Sequence, residues 1–310
     1  MTLYAPPKDR PASVWTEMPG EFRRKGQFPQ WGAANKPGHE VDCFLEGPSF
    51  DRDGNLYVTD IPYGRIFSIS EDKTWTLVAE YDGWPNGLKI HRDGRIFITD
   101  YKHGIMQLDP RSGTVTPILT HRRSESFRGV NDLVFSNDGL MYFTDQGQTG
   151  MHDPTGRVYR YNLETEVLDL LIGNAPSPNG LVLSPEQDVL YVAVTRGNGV
   201  WRLPLLADGG ITKVSIFTAL AGGVSGADGM AVDSDGRLFV CDAGNGCAWV
   251  FTKWAEPVYR VRSMTGGRST TNLAFGGPDN RHVFITESDA GNILTVEMDV
   301  SGEPMFSHRT

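Results

Sequence analysis

Residues 129–145 read GVNDLVFSNDGLMYFTD. LVF and LMYFT are apolar runs rich in strand-forming residues, and NDG between them is a tight turn. The segment is therefore predicted to be a β-hairpin. Asn131 and Asp132 do not fit that pattern, because both residue types are depleted in strands, yet they stand where the first strand begins.

The same pattern recurs along the chain. Residues 46–60 read EGPSFDRDGNLYVTD, 86–100 NGLKIHRDGRIFITD, 179–194 NGLVLSPEQDVLYVAV, 228–242 DGMAVDSDGRLFVCD and 272–287 NLAFGGPDNRHVFITE. Counted from Glu46 through Asn131 to Asn272, the first residues step by 40, 45, 48, 49 and 44. A third apolar run follows each copy (GRIFSIS, GRVYRYN, GVWRLPL), and a fourth follows most (WTLVAEY, TKVSIFT). Four antiparallel strands per period is the signature of a propeller blade. The prediction is an all-β, six-bladed β-propeller of four-stranded antiparallel blades, one domain over residues 1–310. No segment of useful length has helical periodicity. The sixth copy lacks a strong fourth run, and about 45 residues precede the first copy. Residues 1–40 are read as an N-terminal extension whose residues 14–18 complete the sixth blade, closing the ring and removing an open edge.

Composition narrows the class of partner. The chain has 310 residues, a net charge of −9 and a pI of about 5.3. An acidic surface argues against nucleic acid and anionic membranes as partners. No apolar run approaches the roughly 20 residues that span a bilayer. Cys43, Cys241 and Cys247 are odd in number and have no zinc spacing, so they are read as reduced structural thiols. A cytoplasmic location is expected; oligomeric state is left open.

The hairpin turns put the Asp-Gly pairs on one face of the predicted propeller and the first residue of each copy on the other, near the axis. The Thr-Asp pairs ending the second strands are expected to brace loops. Glu46, Asn86, Asn131, Asn179, Asp228 and Asn272 then converge on one opening. Oxygen-bearing side chains packed together there would repel and stay unsatisfied. A hard cation resolves both problems, and calcium takes roughly 6–8 oxygen ligands of these kinds. Calcium is the expected cofactor, with magnesium, manganese and zinc as alternatives.

The motifs LEGPSF, GVNDLVF, SPNGLVLS and GADGMAVD resemble those of the gluconolactonase, senescence-marker-protein (regucalcin) and luciferin-regenerating-enzyme-like family. The resemblance spans residues 41–297 and implies a metal-dependent lactonase. It implies Glu46, Asn131, Asn179 and Asp228 as metal ligands and Asp228 as general base, with Asp132 as the rival base. Fluorophosphatase-like members carry a histidine where Ser288 follows TE here. Sugar-lactone members often carry an arginine where Gly129 stands, with Arg128 beside it. Opening a lactone, a cyclic ester, needs a polarised carbonyl, an activated water and a stabilised oxyanion. Substrate contacts are expected from Asn86, Asn272, Tyr63, His103, Arg128, Met151 and His152, with Trp84 and Phe127 as apolar walls. His103 and His152 are candidate proton shuttles. The substrate is expected to be a small lactone. Rival readings are an arylesterase or phosphotriesterase on the same site, and a non-enzymatic ligand-binding propeller with structural calcium.

Overall fold

Each repeat begins as the hairpin its sequence prescribes. In the computed structural model of the protein, which describes residues 4–309 except 221 and 223–225, Gly54, Gly94, Gly139 and Gly236 close the far-face turns with φ between 78° and 89°. That conformation favours glycine. The first turn residue locks the loop. Asp51 Oδ1 accepts from the N–H of Asp53 at 2.9 Å and of Asn55 at 2.8 Å.

The resulting fold is all-β and propeller-like. Four sheets of four antiparallel strands stand separately, starting at Leu45–Phe50, Pro85–Ile90, Val130–Phe135 and Pro178–Leu183. Apart from a two-stranded ribbon of His121–Arg122 and Glu125–Ser126, the remaining strands share one eight-stranded sheet. One half of it starts at Gly226–Val232 and the other at Thr270–Gly276, and the N-terminal strand Lys8–Glu17 lies between them. That strand pairs antiparallel with Asn292–Glu297 through Ser13 to Glu17, and parallel with Pro257–Ser263 through Lys8 to Ala12. Of the expected closure residues 14–18, residues 14–17 belong to this longer strand, in the part that pairs with Asn292–Glu297, and Met18 follows it with its N–H donating to Gly291 O at 2.9 Å. The six inner strands contact one another in chain order, and the last contacts the first.

Apolar residues fill the gaps between successive sheets rather than the axis. Phe97 of one repeat packs with Phe135, Phe143 and Tyr159 of the next; Phe239 packs with Phe275 across another gap. The Thr-Asp pairs stitch this frame. The hydroxyls of Thr59 and Thr144 donate to the main-chain carbonyls of Asn86 and Asn179 in the following inner strand, both at 2.7 Å, and Thr195, which precedes Arg196 rather than an aspartate, donates to Ala227 O at 2.8 Å. The aspartates hold the loop entering their own repeat. Asp60 accepts from Phe44 N, Asp100 from Trp84 N, and Asp145 from Arg128 N and Gly129 N. They brace loops, as expected. The three cysteines are free and buried.

At the far end of the axis the C-terminal segment crosses the opening. Phe306 stacks on Phe135, Ser307 Oγ donates to Phe50 O at 3.2 Å, and Glu303 N donates to Val232 O at 3.0 Å. Beneath it lies a cavity of about 100 Å³ whose walls include Lys89, Leu181, Met230 and Phe275. Among the described residues no helix is long and apolar enough to cross a membrane.

Deleting residues 1–17 removes a strand with two partners and leaves two sheet edges open. The truncated chain is expected to be recovered as aggregate, read by size-exclusion chromatography. A monomer with unchanged Tm would contradict this account of closure.

Candidate active site at the near mouth

The oddity of Asn131 and Asp132 has a geometric answer. Every inner strand slips register against its partner at its start, between Glu46 and Ser49, Pro85 and Leu88, Val130 and Leu133, Pro178 and Leu181, Ala227 and Met230, and Thr270 and Asn272. A bulge sets an extra residue against the partner strand and re-aims side chains. Asp132, one residue beyond Asn131, therefore reaches the axis: its Oδ2 accepts from Asn272 Nδ2 at 3.2 Å, from a different sheet.

The register also corrects one alignment. Leu133 pairs with Phe143 and Leu273 with Ile285, each two residues before the end of its strand. Thr271 therefore occupies the place of Asn131, and Asn272 that of Asp132. The axis carries two layers: Glu46, Asn86, Asn131, Asn179, Asp228 and Thr271 come first, with Asp132 and Asn272 one residue further in. Glycine fills the other inner positions because the space is taken. A Cβ on Gly87 would sit 2.4 Å from Asp132 Oδ1, and one on Gly229 2.2 Å from Asn272 Oδ1.

Glu46, Asp132 and Asp228 are 4%, 2% and 8% exposed. Burial raises the pKa of all three carboxyls. Asp132 pushes Glu46 up further, and Glu46 and Asp132 do the same to Asp228. The opposing contacts are few. Glu46 Oε2 accepts from Gly47 N (2.8 Å) and Asn272 Nδ2 (2.9 Å). Asp132 Oδ1 accepts from Leu133 N at 2.8 Å. An amide hydrogen bond from Asn179 and the charge of Arg196 act on Asp228, and the charge of Lys89 acts on Glu46 and Asp132. Three buried carboxylates facing chiefly amide donors make an excess of negative charge that a hard cation would neutralise. Among the described residues no group of three or more histidine, cysteine, aspartate or glutamate side chains is placed to hold a metal ion. The donors at the axis are instead a mixture of carboxylates and amides, which fits an oxygen-seeking cation rather than a nitrogen- or sulfur-bound one.

The neighbouring wall holds residues that the repeat pattern did not mark. Asn131 Nδ2 donates to Gln146 Oε1 at 3.0 Å, and Gln146 Nε2 donates to Ser177 Oγ at 3.0 Å. Ser177 has φ 64°, a strained value for a residue with a side chain and one that clusters at functional sites. It is held by Thr149 Oγ1 on its N–H and by Thr195 N on its carbonyl. Gln146, Thr149 and Ser177 line a cavity of about 530 Å³ together with Met151, His152 and Arg196. Asn35 reaches the same cavity from a short helix, Gln30–Asn35, too short to show periodicity in the sequence.

The other expected contacts lie elsewhere. Asn86 is at the axis, 8% exposed. Tyr63 donates its hydroxyl to Val41 O at 2.5 Å, and Arg65 lies over its ring. His103 contacts Asp82 O through Nε2 at 2.6 Å, towards the outer rim. Arg128 bonds Thr155 and lies 3.7 Å from Asp153. Phe127 is packed against Phe143 and Tyr159, so it is core rather than wall. Trp84 packs beside Tyr101 with Lys102 over its ring.

Comparison with known proteins agrees with this architecture. Residues 44–289 match the SMP-30/gluconolactonase/LRE-like region, and the chain belongs to that family. It is 32% identical over 288 residues to lactonase drp35 of Staphylococcus haemolyticus, covering 84% of this chain and 86% of that protein. A gluconolactonase of Xanthomonas campestris superposes with a TM-score of 0.73 at 20% identity, covering 92% of this chain and 99% of the other. A calcium-binding regucalcin of Agrobacterium tumefaciens superposes with a TM-score of 0.76 at 19% identity, covering 98% and 99%. These two likenesses carry the fold.

Proposed function

We propose that the chain is a six-bladed propeller, its eight-stranded sheet being two blades joined through the N-terminal strand, and that it hydrolyses lactones at the near mouth with a divalent cation, calcium first. The observation that carries the reading is the buried cluster of Glu46, Asp132 and Asp228 among amides, in a chain of this family. Glu46, Asn131, Asn179 and Asp228 would hold the cation. When bound, it would polarise the lactone carbonyl and stabilise charge developing on its oxygen.

The side chains divide the remaining work. Asp228 takes the proton of the attacking water, as a general base must. Asp132 is the weaker candidate, because Leu133 N and Asn272 Nδ2 already occupy its two oxygens. Asn272 holds Glu46 and Asp132 in place with one amide group. Gln146 accepts from the Asn131 amide nitrogen, which leaves the Asn131 oxygen to turn to the axis.

The test is turnover of five- and six-membered lactones, an aryl ester and an organophosphate triester, each with and without a chelator. Lactones are expected to be the preferred substrates, with activity abolished by chelation and restored by calcium. Absence of lactone turnover with calcium, magnesium, manganese and zinc alike would sink the reading.

A further inference from the structure

We infer that Arg196 and His152 form an anion subsite in the near-face cavity, and that the substrate is a lactone bearing a carboxylate or phosphate away from its ester. The inference rests on the lactonase reading for the ester and on the cavity for the anion.

The two side chains come from different repeats and meet over one glycine. A Cβ on Gly150 would lie 3.1 Å from His152 Nδ1 and 3.7 Å from Arg196 Cγ. Arg196 stands in the turn Thr195–Gly197, directly after the strand Val189–Val194, and the preceding Thr195 Oγ1 accepts from Asn179 Nδ2 at 3.2 Å and donates to Ala227 O, next to Asp228, at 2.8 Å. The cavity wall that carries Arg196 thus borders the axial residues Asn179 and Asp228 on one side, and through Gln146 it borders Asn131 on the other. Among the described residues Arg196 forms no ion pair. The rest of the cavity is neutral where polar: Gln146, Thr149 and Ser177 present amide and hydroxyl groups. The guanidinium fork matches the two oxygens of a carboxylate or a phosphate.

The surroundings explain why such a subsite is needed. The chain carries a net charge of −9, and three carboxylates stand at the axis. An anionic ligand approaching that mouth is repelled unless a fixed cation receives it. Arg196 supplies that cation at the wall, and the bound divalent cation would offset the axis. A neutral lactone gains little from either basic side chain.

The experiment compares glucono-δ-lactone with analogues carrying a carboxylate or a phosphate in place of the C6 hydroxyl, at saturating calcium. The wild-type protein is expected to favour one or both anionic analogues. Arg196→Gln is expected to lower kcat/KM for these by about 10- to 100-fold, the range of a lost charge-assisted hydrogen bond, and for the neutral lactone by a much smaller factor. Arg196→Lys should recover part of the loss. Whether the carboxylate or the phosphate analogue loses more identifies the group held. Equal losses on neutral and anionic lactones, or none, would overturn the subsite. Calorimetry keeps the test independent of turnover. D-glucarate, with two carboxylates, should bind more tightly than D-gluconate, with one, and Arg196→Gln should erase the difference. If no lactone is hydrolysed yet this difference appears, the lactonase reading fails and the subsite stands. If the two acids bind alike in the wild type, the subsite fails.

Discussion

Asp228→Asn is expected to leave a folded protein that has lost about 10²- to 10⁴-fold in kcat/KM for lactones, the usual contribution of a general base. The amide keeps the shape of the side chain but cannot take a proton. The same change should raise Tm in the absence of a divalent cation. Asp228 is buried beside Glu46 and Asp132, and each raises its pKa, so the neutral amide removes a like-charge conflict. Opposite movements of activity and stability mark a residue retained for function rather than folding. Asp132→Asn should cost less activity, since both oxygens of Asp132 already accept hydrogen bonds. Activity within threefold of wild type for Asp228→Asn, or a larger loss for Asp132→Asn, would reassign the base.

Arg65→Met is expected to destabilise the protein by about 3–5 kcal/mol, the cost of leaving a buried charge unpaired. Arg65 is 1% exposed and Asp60 wholly buried. Arg65 Nε donates to Asp60 Oδ2 at 2.8 Å, and Arg65 Nη1 to Phe22 O at 2.6 Å. Asp60 Oδ1 in turn accepts from Phe44 N at 2.7 Å. The pair thus fastens the N-terminal segment to the first sheet. Adding Asp60→Asn to the variant should recover part of the loss, because the amide oxygen can still accept from Phe44 while the stranded charge is gone. Chemical denaturation of both variants measures this. A single-variant change below 1 kcal/mol, or no recovery in the double variant, would contradict it.

The frame was legible because its rules are local and repeated. Asp-Gly turns, alternating apolar runs and Thr-Asp endings each follow from one hairpin, and the spacing between copies revealed the ring. The positions of Glu46, Asn131, Asn179 and Asp228 at the axis followed from that spacing. Asn272 was misaligned by one residue because its repeat opens with Thr271 rather than an amide or acid. Asp132 was hard to place because alternation along a strand points it away from Asn131, and only the bulge reverses that. Gln146, Ser177, Arg196 and Asn35 carry no repeat signature; loops and a single helical turn bring them together. Tyr63 and His103 looked like pocket residues by position, yet each is drawn aside by a nearby carbonyl.

The C-terminal segment across the far opening has a further consequence. With Phe306 seated on Phe135 and Glu303 tied to Val232, the passage along the axis is a cul-de-sac rather than a tunnel. Whatever reaches the carboxylates must leave by the door through which it entered. Arrival and departure therefore cannot overlap: a molecule still inside bars the next, and the loops around that one doorway govern traffic in both directions.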